Sequence, residues 1–312
     1  MTILVAGELN ADLVLQNYSS FPAVGQEVVV DNASLTLGSS SAICASGLAK
    51  LGNAVIFAGK IGRDLWGDLC LDWLAKLGVD CSPVLRDPGL STGITVSITS
   101  EKGRALVTYP GATTELRASE VQDEDLLRAK HLHVSSFFLQ TALRPGLRAL
   151  FERAHCHGLT TSLDPGFDPE EKWAADLLET LREVDFFFPN ESELRAITNK
   201  ADPVDALQFL SGGRTTTIAK LGENGSVTLC GGHLVSVPAY SVRPLDTTGA
   251  GDSFNAGFLH AWLRNEDIAG AMAFGAACGA LSTLQSGGTA AQPTEAEAIE
   301  FMRTAEKGAA AR

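Results

Sequence analysis

Short apolar runs alternate with longer amphipathic segments along most of this chain, and this alternation restricts its fold more than any other feature. Runs of four or five β-branched and aromatic residues are typical of strands that are buried on both faces. Segments with apolar residues three or four positions apart are typical of helices. The candidate strands are residues 3–6, 55–58, 131–135, 160–163, 184–188, 216–220 and 227–229, and the helical segments include 42–51, 65–77, 145–157 and 174–181. This order predicts an α/β fold with a mainly parallel sheet and helices on both of its faces.

Two regions interrupt this rhythm, residues 12–37 and 92–109. Both alternate apolar and polar side chains and contain glycine-centred turns, which is typical of antiparallel strands with one face in water. We expect them to form a small β-sheet lid over a cleft in the α/β body. The sequence of 312 residues contains no internal repeat and no long linker. We therefore expect a single domain that spans residues 1–312.

The overall charge limits the partners that the protein could bind. Asp and Glu outnumber Lys and Arg by 37 to 24, the formal net charge is −13, and no run rich in Lys or Arg occurs. We therefore expect no nucleic-acid partner, because clustered cations bind phosphate backbones. No apolar stretch free of polar residues reaches the roughly 20 residues that span a bilayer, so we expect no membrane partner. The six cysteines are scattered, without a CxxC pair, which predicts a reducing, cytoplasmic location.

Residues 246–254, with the sequence DTTGAGDSF, carry the strongest chemical signal and lead into a helical pattern. Gly249, Ala250 and Gly251 are small, so their amides can approach an anion closely, and the helix dipole adds to the attraction. Asp252 lies in the first turn of this helix and could accept a proton from a hydroxyl group. An anion hole beside a base suits phosphoryl transfer, which depends on positioning and electrostatics. A lone GxGD string would instead favour a tight turn followed by a helix-start acid.

The whole stretch 246–254 resembles the DTxGAGDxF signature of the ribokinase-like (PfkB) carbohydrate kinase family. Residues 7–12 (GELNAD), 59–67 (GKIGRDLWG), 189–193 (PNESE) and 221–225 (LGENG) resemble further motifs of this family, in the same order. The resemblance implies a doubly wound α/β fold with a β-sheet lid. It also implies ATP-dependent phosphorylation of a hydroxyl, in our interpretation a primary one, of a small sugar. Asp252 would be the base and residues 249–251 the anion hole, with ATP and Mg²⁺ as cofactors.

The resemblance also implies a set of sugar-binding residues. Asn10 and Asp12 would bind hydroxyl groups, and Gly38 and Ser39 would contact the substrate from the start of the helix that follows the lid. Many relatives have G-G-x-x-x-N at this helix, with the Asn on the sugar, whereas residues 38–43 read GSSSAI here. Ile43 cannot hydrogen-bond a hydroxyl. Either the substrate lacks a hydroxyl at that position or a serine among residues 39–41 replaces the contact.

The resemblance also implies residues that bind the nucleotide and its metal. Asn190 and Glu193 would organise Mg²⁺ largely through water, with Asn190 also near the nucleotide; the alternative is a helix N-cap with first-turn acids. Lys220 could contact a phosphate or be a solvated lysine at a strand end. Gly222 and Gly225 belong to the implied nucleotide-binding turn.

Three smaller groups of polar residues complete the candidates. Asp246 and Thr248, with carbonyl groups near residue 287, resemble the monovalent-cation loop of some family members, which implies a K⁺ site. Asp164 ends a candidate strand at the edge where α/β sheets bind ligands. His131 and His133 share one strand face, but a metal site needs three or four converging ligands, so we interpret them as structural.

Several alternatives remain open. A nucleoside kinase of the same family would need an apolar wall for the base, for which Ile43, Phe137 and Phe138 are candidates unless they are core residues. A catalytically silent sugar-binding or regulatory protein would share the fold without turnover. A sugar-phosphate kinase would need cations around the second phosphate, and Arg104 on a lid strand is the one candidate. A small sugar is the expected partner, and the lid also allows a homodimer.

Overall fold

The structure, a computed structural model, describes residues 1–18, 21, 23–100, 103–173 and 175–310. Within these ranges the strands are β1 (Thr2–Ala6), β2 (Asn10–Tyr18), β3 (Val30–Leu37), β4 (Ala54–Ala58), β5 (Lys60–Gly62), β6 (Leu85–Asp87), β7 (Gly93–Ser100), β8 (Gly103–Tyr109), β9 (His131–Val134), β10 (Thr160–Leu163), β11 (Phe186–Phe187), β12 (Thr216–Lys220), β13 (Ser226–Cys230) and β14 (His233–Val237). The α-helices in the same ranges are α1 (Ser40–Lys50), α2 (Leu65–Lys76), α3 (Asp123–Leu127), α4 (Leu147–Cys156), α5 (Ala175–Leu181), α6 (Glu191–Thr198), α7 (Pro203–Leu210), α8 (Ala250–Trp262), α9 (Ile268–Ser282) and α10 (Glu295–Ala310).

Some positions covered by the sequence predictions lie outside the described residues. They are residues 19, 20, 22, 101 and 102 of the expected lid, residue 174 of an expected helix, and the last two residues of the expected domain. No helix in the described ranges has the length and hydropathy of a bilayer-spanning segment.

An eight-stranded sheet forms the centre of the described chain, in the order β14-β13-β12-β11-β10-β9-β1-β4. The strands from β4 to β12 in this order pair in parallel. Every strand predicted from an apolar run belongs to this sheet, although the run at 184–188 contributes only the two residues of β11. The predicted α/β fold with a mainly parallel sheet is therefore confirmed.

One edge of the main sheet differs from the prediction. β13 and β14 pair antiparallel, so the run at 227–229 is not one of the central parallel strands, and β14 was not predicted. Residues 221–225 connect β12 to β13, with Gly222 and Gly225 at φ of 58° and 86°. A turn this short returns the chain beside the strand that it left, whereas parallel pairing needs a crossover of a dozen or more residues.

A separate four-stranded sheet, in the order β3-β2-β7-β8, forms the lid. β2 with β3 and β7 with β8 are antiparallel hairpins, as expected, but β2 and β7 pair in parallel from Asn10 opposite Gly93. Both strands start beside the main domain, so they run in the same direction. Alternation of apolar and polar residues predicts which face of a strand is wet, but not the direction of its neighbour.

The main sheet separates two apolar cores. Ile3 and Val5 of β1 join a core that contains residues of α1, α8 and α9, whereas Leu4 and Ala6 join a core that contains residues of α4. Successive side chains of a strand point to opposite faces, so a strand that is apolar at every position is covered by helices on both sides. This is the doubly wound arrangement. The carboxyl ends of β1, β10 and β12 lie at the edge from which α8 and the lid also start.

Candidate active site

The first turn of α8 contains the predicted anion hole. Gly249 is the N-cap residue, with φ of 71° and ψ of 6°, a left-handed conformation that glycine adopts readily. A β-carbon on Gly249 would lie 2.9 Å from Gly288 Cα and from a methyl group of Ile43, so only glycine fits. The Ala250 amide also closes a turn onto the Thr247 carbonyl at 3.3 Å. α8 is 13 residues long, and its dipole gives this turn a positive potential.

Asp252 lies in the same turn, partly buried. Burial raises its pKa well above the usual range, and the neighbouring carboxylates of Asp164 and Glu8 act in the same direction, while the ammonium group of Lys220 opposes them. The Ser40 hydroxyl lowers the pKa of Asp252 in part. A carboxylate with a raised pKa is a stronger base, which suits a residue that takes a proton from a hydroxyl.

Lys220 is held beside this turn by two other side chains. Its Nζ lies 2.6 Å from Asp164 Oδ2 and 3.3 Å from Asn255 Oδ1, and Asn255 Nδ2 donates to Asp164 Oδ2 at 2.7 Å. The ammonium group is also 3.2 Å from the position of a β-carbon on Gly251. Lys220 is therefore a cation held beside the first turn of α8 and not a solvated lysine at a strand end.

Asn255 is a site residue that the sequence reasoning missed. It lies three positions after Asp252 on α8, and residues three apart share one face of a helix. That spacing could have indicated Asn255, because Asp252 was already predicted to be the base. Asp164 follows β10 at the carboxyl edge of the sheet, as expected. There it forms an ion pair with Lys220.

Asn190 and Glu193 form a capping box at the start of α6. Asn190 Oδ1 accepts the Glu193 amide at 2.9 Å, and Glu193 Oε2 accepts the Asn190 amide at 2.8 Å, so the helix-cap alternative is realised. Burial raises the pKa of Glu193 to about 7, Asp164 adds to the rise, and Lys220 opposes it. Asn190 also forms a β-bridge with Lys220, so the start of α6 lies beside the Lys220 cluster.

The residues present fit a magnesium ion that is held largely through water. Among the described side chains, no three His, Cys, Asp or Glu residues converge in a way that could hold a metal ion. Mg²⁺ at phosphoryl-transfer sites keeps several waters and binds one or two carboxylates together with substrate phosphates. Asn190 and Glu193 supply one amide oxygen and one carboxylate, a small donor set that suits an ion which keeps most of its water.

Asn10 and Asp12 lie at the start of β2, where the main domain meets the lid. Both are buried, and Asn10 Nδ2 donates to Asp12 Oδ1 at 2.9 Å and to Thr95 Oγ1 of β7 at 3.2 Å. Gly38 adjoins them, since a β-carbon at this position would lie 2.0 Å from Asp12 Oδ1. The structure thus brings together three of the four residues expected to bind the sugar.

Ser39, the fourth, caps a helix. Its hydroxyl accepts the Ala42 amide at 3.3 Å and donates to the Glu8 carbonyl at 2.7 Å, so it fixes the start of α1. The next residue, Ser40, is one of the three serines that the sequence left open as a substitute contact, and it lowers the pKa of Asp252. α1 also packs against α8.

Ile43, Phe137 and Phe138 are core residues. Ile43 is buried, and its methyl groups pack against the backbone of Gly249 and Gly288. Phe137 and Phe138 contact each other edge to face, with ring centroids 5.2 Å apart, in the core on the other face of the sheet. The isoleucine that replaces the asparagine of many relatives thus supports the anion-hole turn from within the core.

A cavity of about 550 Å³ lies beside the anion hole. Its lining includes Lys220 and Gly251, together with Gly222 and Gly225 of the turn after β12. The remaining lining is mostly apolar and comes from the segment after β14 and from α8 and α9: Ala239, Tyr240, Val242, Pro244, Thr247, Ala250, Phe254, Ala276, Gly279, Ala280, Thr283 and also Glu223. An apolar cleft of this size with a cation at its wall suits a nucleotide, whose base is apolar and whose phosphates are anionic.

Asp246 and Thr248 form a closed loop ahead of α8. Asp246 Oδ1 accepts the Thr248 amide at 2.9 Å and its hydroxyl at 2.6 Å, and Asp246 Oδ2 accepts the Gly287 amide at 2.9 Å. Residue 287 thus approaches Asp246 as expected, but through its amide and not through its carbonyl. The Asp246 carboxylate organises the loop, so a cation here would be held mainly by other oxygens.

Comparison with known proteins identifies the family. The family model described as pfkB family carbohydrate kinase matches residues 2–295. Fructokinase-2 of Oryza sativa subsp. japonica is 30% identical over 286 residues, which cover 86% of this chain and 85% of the rice protein. The ribokinase of Haemophilus influenzae is 28% identical over 311 residues, covering 97% of this chain and 99% of the relative. The crystal structure of a fructokinase with bound ATP from Xylella fastidiosa shares the fold, with a TM-score of 0.85 at 24% identity over 97% of this chain and 99% of that chain. The chain belongs to the pfkB family of carbohydrate kinases, whose members phosphorylate a sugar with ATP.

Proposed function

We propose that this kinase transfers the γ-phosphoryl group of ATP to a primary hydroxyl of a small neutral sugar, with Asp252 as the general base. The position of Asp252 carries the proposal. Its helical turn lines the cavity through Ala250 and Gly251, and its carboxyl is within electrostatic reach of Lys220. Asp252 therefore lies where a bound nucleotide and the acceptor hydroxyl would meet.

For binding of the nucleotide, the proposal rests on the Lys220 ammonium group, whose position is fixed by its neighbours. Asp164 and Asn255 hold the Lys220 ammonium group, so it does not have to be ordered when phosphates bind. A preorganised cation and the amides of the α8 turn would stabilise charge that develops on the transferred group. Mg²⁺, held by Asn190 and Glu193 largely through water, would supply further neutralisation of the phosphates.

On the acceptor side, the proton of the attacking hydroxyl would pass to a carboxyl oxygen of Asp252 as the oxygen attacks the phosphorus atom. Asn10 and Asp12 would orient the sugar from the lid, because an amide and a carboxylate together can donate to and accept from hydroxyl groups. Closure of the lid would exclude water, which otherwise competes as the acceptor of the phosphoryl group.

A neutral sugar suits this site better than a sugar phosphate. Asp12 and Asp252 are both carboxylates, which accept hydrogen bonds from hydroxyl groups but repel a second phosphate. The side chain of Arg104, the cation that the sequence offers on the lid, lies outside the described side chains. A nucleoside is also less well supported, because Ile43, Phe137 and Phe138 pack in the cores and are not available as a wall for the base.

The test is an assay of coupled ADP release over pentoses, hexoses, keto-acids, sugar phosphates and nucleosides. We expect a neutral free sugar to give the highest kcat/KM. A preference for a nucleoside or a sugar phosphate would contradict the substrate class. The absence of acceptor-dependent ADP release across the panel would instead favour a silent binding protein.

We include a monovalent cation in the proposal. The closed loop of Asp246 and Thr248 joins residue 287 directly ahead of the anion hole, so an ion there would stiffen the turn that holds the phosphoryl group. K⁺ should raise kcat relative to choline at equal ionic strength. Equal rates in the two salts would remove K⁺ from the proposal.

We also propose a homodimer formed through the lid. Leu13 is paired with Leu35 and with Val96, and Val96 is paired with Val107, so the four side chains form one row across the sheet. They lie on the face opposite Asp12, because side chains alternate along β2. Leu35 and Val107 are 37% and 59% exposed. A contiguous apolar row on an exposed sheet face is typical of a protein–protein contact.

Light scattering in solution tests the dimer. Leu35→Asp should convert the dimer to a monomer, because it buries a charge in the contact. Leu234→Asp is the matched control, since Leu234 is 50% exposed on β14, an edge strand of the main sheet and not of the lid. A parent chain that is already monomeric would contradict the proposal.

A further inference from the structure

The loop between α9 and α10, residues 283–294, is irregular but partly buried. Connecting segments usually run over the surface, where water satisfies their backbone groups. In this loop Gly287, Gly288 and Gln292 are buried instead. They pack against the segment that leads into α8 and contains the proposed anion hole.

The two glycines of the loop contact the start of this segment. The Gly287 amide donates to Asp246 Oδ2 at 2.9 Å. Gly288 lies so close to Gly249 that a β-carbon on Gly249 would be 2.9 Å from Gly288 Cα and 3.0 Å from the Gly288 carbonyl oxygen. The loop therefore supports the N-cap of α8 by direct backbone packing.

Gln292 joins α8 to α1 with one amide group. Its Nε2 donates to the Ile43 carbonyl of α1 at 2.8 Å and to Ser253 Oγ of α8 at 3.1 Å. The Ile43 carbonyl can only accept, so it fixes the amide nitrogen as the atom on this side. Gln292 is 5% exposed and Ser253 is 1% exposed, so both hydrogen bonds are shielded from water.

Ser253 directly follows Asp252, and its amide donates to the Gly249 carbonyl at 2.8 Å, which closes the first turn of α8. Gly288 supports one end of this turn and Gln292 holds the other. We propose that Gln292 is a positioning residue: by fixing Ser253 against α1, it sets the orientation of the turn that contains the anion hole and Asp252. The inference rests on the proposed function of that turn.

Lys50 anchors the same loop to α1. Its ammonium group donates to the Thr289 carbonyl at 2.7 Å and to the carbonyls of Ala290 and Gln292 at 3.4 Å each. These contacts satisfy backbone acceptors in an irregular segment and hold it in one shape. Residue 292 is thus bound to α1 through its backbone as well as its side chain, so its amide is a fixed support for Ser253.

Asn53 makes an equivalent contact at the other end of the same two helices. Its Nδ2 donates to the Leu48 carbonyl of α1 at 2.8 Å and lies 3.0 Å from His260 Nδ1 of α8. Asn53 is 7% exposed, as deeply buried as Gln292. His260 lies seven residues beyond Ser253, about 10 Å along α8. Loss of either amide should weaken the packing of α1 on α8, but only Gln292 acts on the catalytic turn.

Steady-state kinetics with the sugar that the substrate panel selects test the inference. Gln292→Met keeps the length of the side chain and removes its donor. We expect kcat and kcat/KM to fall together by about three- to tenfold, the scale of one lost hydrogen bond, with the KM values for ATP and sugar unchanged. Asn53→Leu, the matched control, should keep the parental kcat. Parental kcat in Gln292→Met, or the same loss of kcat in both variants, would overturn the inference.

Ser253→Ala keeps the test decisive if Gln292→Met does not fold. It removes only the contact between Gln292 and α8, and it should lower kcat by about two- to threefold. Parental kcat in Ser253→Ala would then overturn the inference. Where both variants fold, the double variant should be no slower than Gln292→Met, because the two substitutions remove the same hydrogen bond. Additive losses would contradict an action of Gln292 through Ser253.

Asp252→Asn, assayed in parallel, separates this inference from the proposed function. An active Asp252→Asn variant would remove the proposed function and the inference with it. An inactive Asp252→Asn variant beside a fully active Gln292→Met variant would remove only the role of Gln292.

Discussion

The Lys220 ammonium group lies 3.2 Å from the point that a β-carbon on Gly251 would occupy. Burial lowers the pKa of Lys220, but the carboxylates of Asp164 and Glu193 more than offset this effect, so the pKa is raised and the group stays charged. The cation therefore lies on the side of Gly251 where any other residue would place its β-carbon. The ammonium group can approach residue 251 this closely because glycine has no β-carbon.

Gly251→Ala should slow phosphoryl transfer by displacing the Lys220 ammonium group. A methyl group 3.2 Å from Nζ would displace the cation slightly, by less than the misplacement of about 1 Å that can reduce a rate roughly a hundredfold, so we expect kcat to fall by about two- to fivefold. Steady-state kcat measures this effect. Gly213→Ala is the control, because a β-carbon there meets no atom within 4 Å, and it should have parental kcat. Equal kcat in the two variants would mean that Lys220 does not act at this turn.

Asp12→Ala should weaken use of the sugar. A hydrogen bond to a charged group contributes about 1.5–3 kcal/mol, so the KM for the sugar should rise roughly ten- to two-hundredfold. The KM for ATP should change little, because the cavity beside Gly222 and Gly225 is separate from Asp12. Gly38→Ala should act in the same direction, since its β-carbon would lie 2.0 Å from Asp12 Oδ1.

Asp31→Ala is the control for charge on the lid, because Asp31 is exposed on β3. It should leave both KM values unchanged. If Asp12→Ala and Asp31→Ala had the same parental sugar KM, Asp12 would be only a turn-forming acid.

Glu193→Gln should raise the Mg²⁺ concentration that gives half-maximal rate, because an anionic partner of the hydrated ion is lost. The matched control is Glu297→Gln, in the second capping box at the start of α10, where Glu297 Oε2 accepts the Thr294 amide at 2.8 Å. Both variants weaken a helix cap, but only Glu193→Gln should change the Mg²⁺ titration. Identical titrations in the two variants would leave Asn190 and Glu193 as a helix cap alone.

A buried chain of imidazoles and hydroxyls crosses β9 and β10. His131 lies 2.8 Å from Thr160 Oγ1 and 2.7 Å from Ser162 Oγ, and His133 lies 2.7 Å from Ser162 Oγ and 2.9 Å from Ser135 Oγ. These partners confirm that both histidines are structural. Burial lowers the pKa of His133 to about 4 and lowers that of His131 well below its usual value.

Acid should therefore destabilise the fold through these two histidines. Their pKa values are lower in the folded state than in the unfolded chain, so the unfolded chain binds more protons once the pH falls below about 6.5. Between pH 7 and 5 His133 should remove about 2 kcal/mol from the free energy of unfolding, measured by urea denaturation, and His131 should add to this loss. The double variant His131→Asn, His133→Asn should lose this part of the pH dependence, whereas His233→Asn, at an exposed position, should keep it. A parental slope in the double variant would contradict the assignment.

Much of the main sheet could be predicted from the sequence, because its strands are continuous apolar runs between helical patterns. α9 could not be predicted in this way. It is rich in Ala and Gly and buried around most of its circumference, so it lacks the amphipathic spacing that indicates a surface helix. β14 consists of the five residues HLVSV, which do not alternate regularly and are too few to indicate a strand by themselves. The pairing of β13 depends on the turn at 221–225, which runs of apolar residues do not encode.

The candidate site divides in the same way. Residues within one continuous motif, such as Gly249 and Asp252, could be predicted because their chemistry depends on local backbone geometry. The contacts of Asn255 and Glu8 could not, because each is made with a partner that is distant in sequence. Glu8 meets Ser136 across 128 residues and Asn255 meets Asp164 across 91, and only the folded chain brings these pairs together.

The role of Asp252 as the base is the central claim, and Asp252→Asn measures it most directly. The substitution keeps the size of the side chain and removes its ability to take a proton. With the sugar that the substrate panel selects, we expect kcat to fall by about 10²–10⁴-fold, the contribution of a general base, while ATP binding measured by calorimetry stays close to that of the parent. A variant that retains most of the parental kcat would contradict the claim.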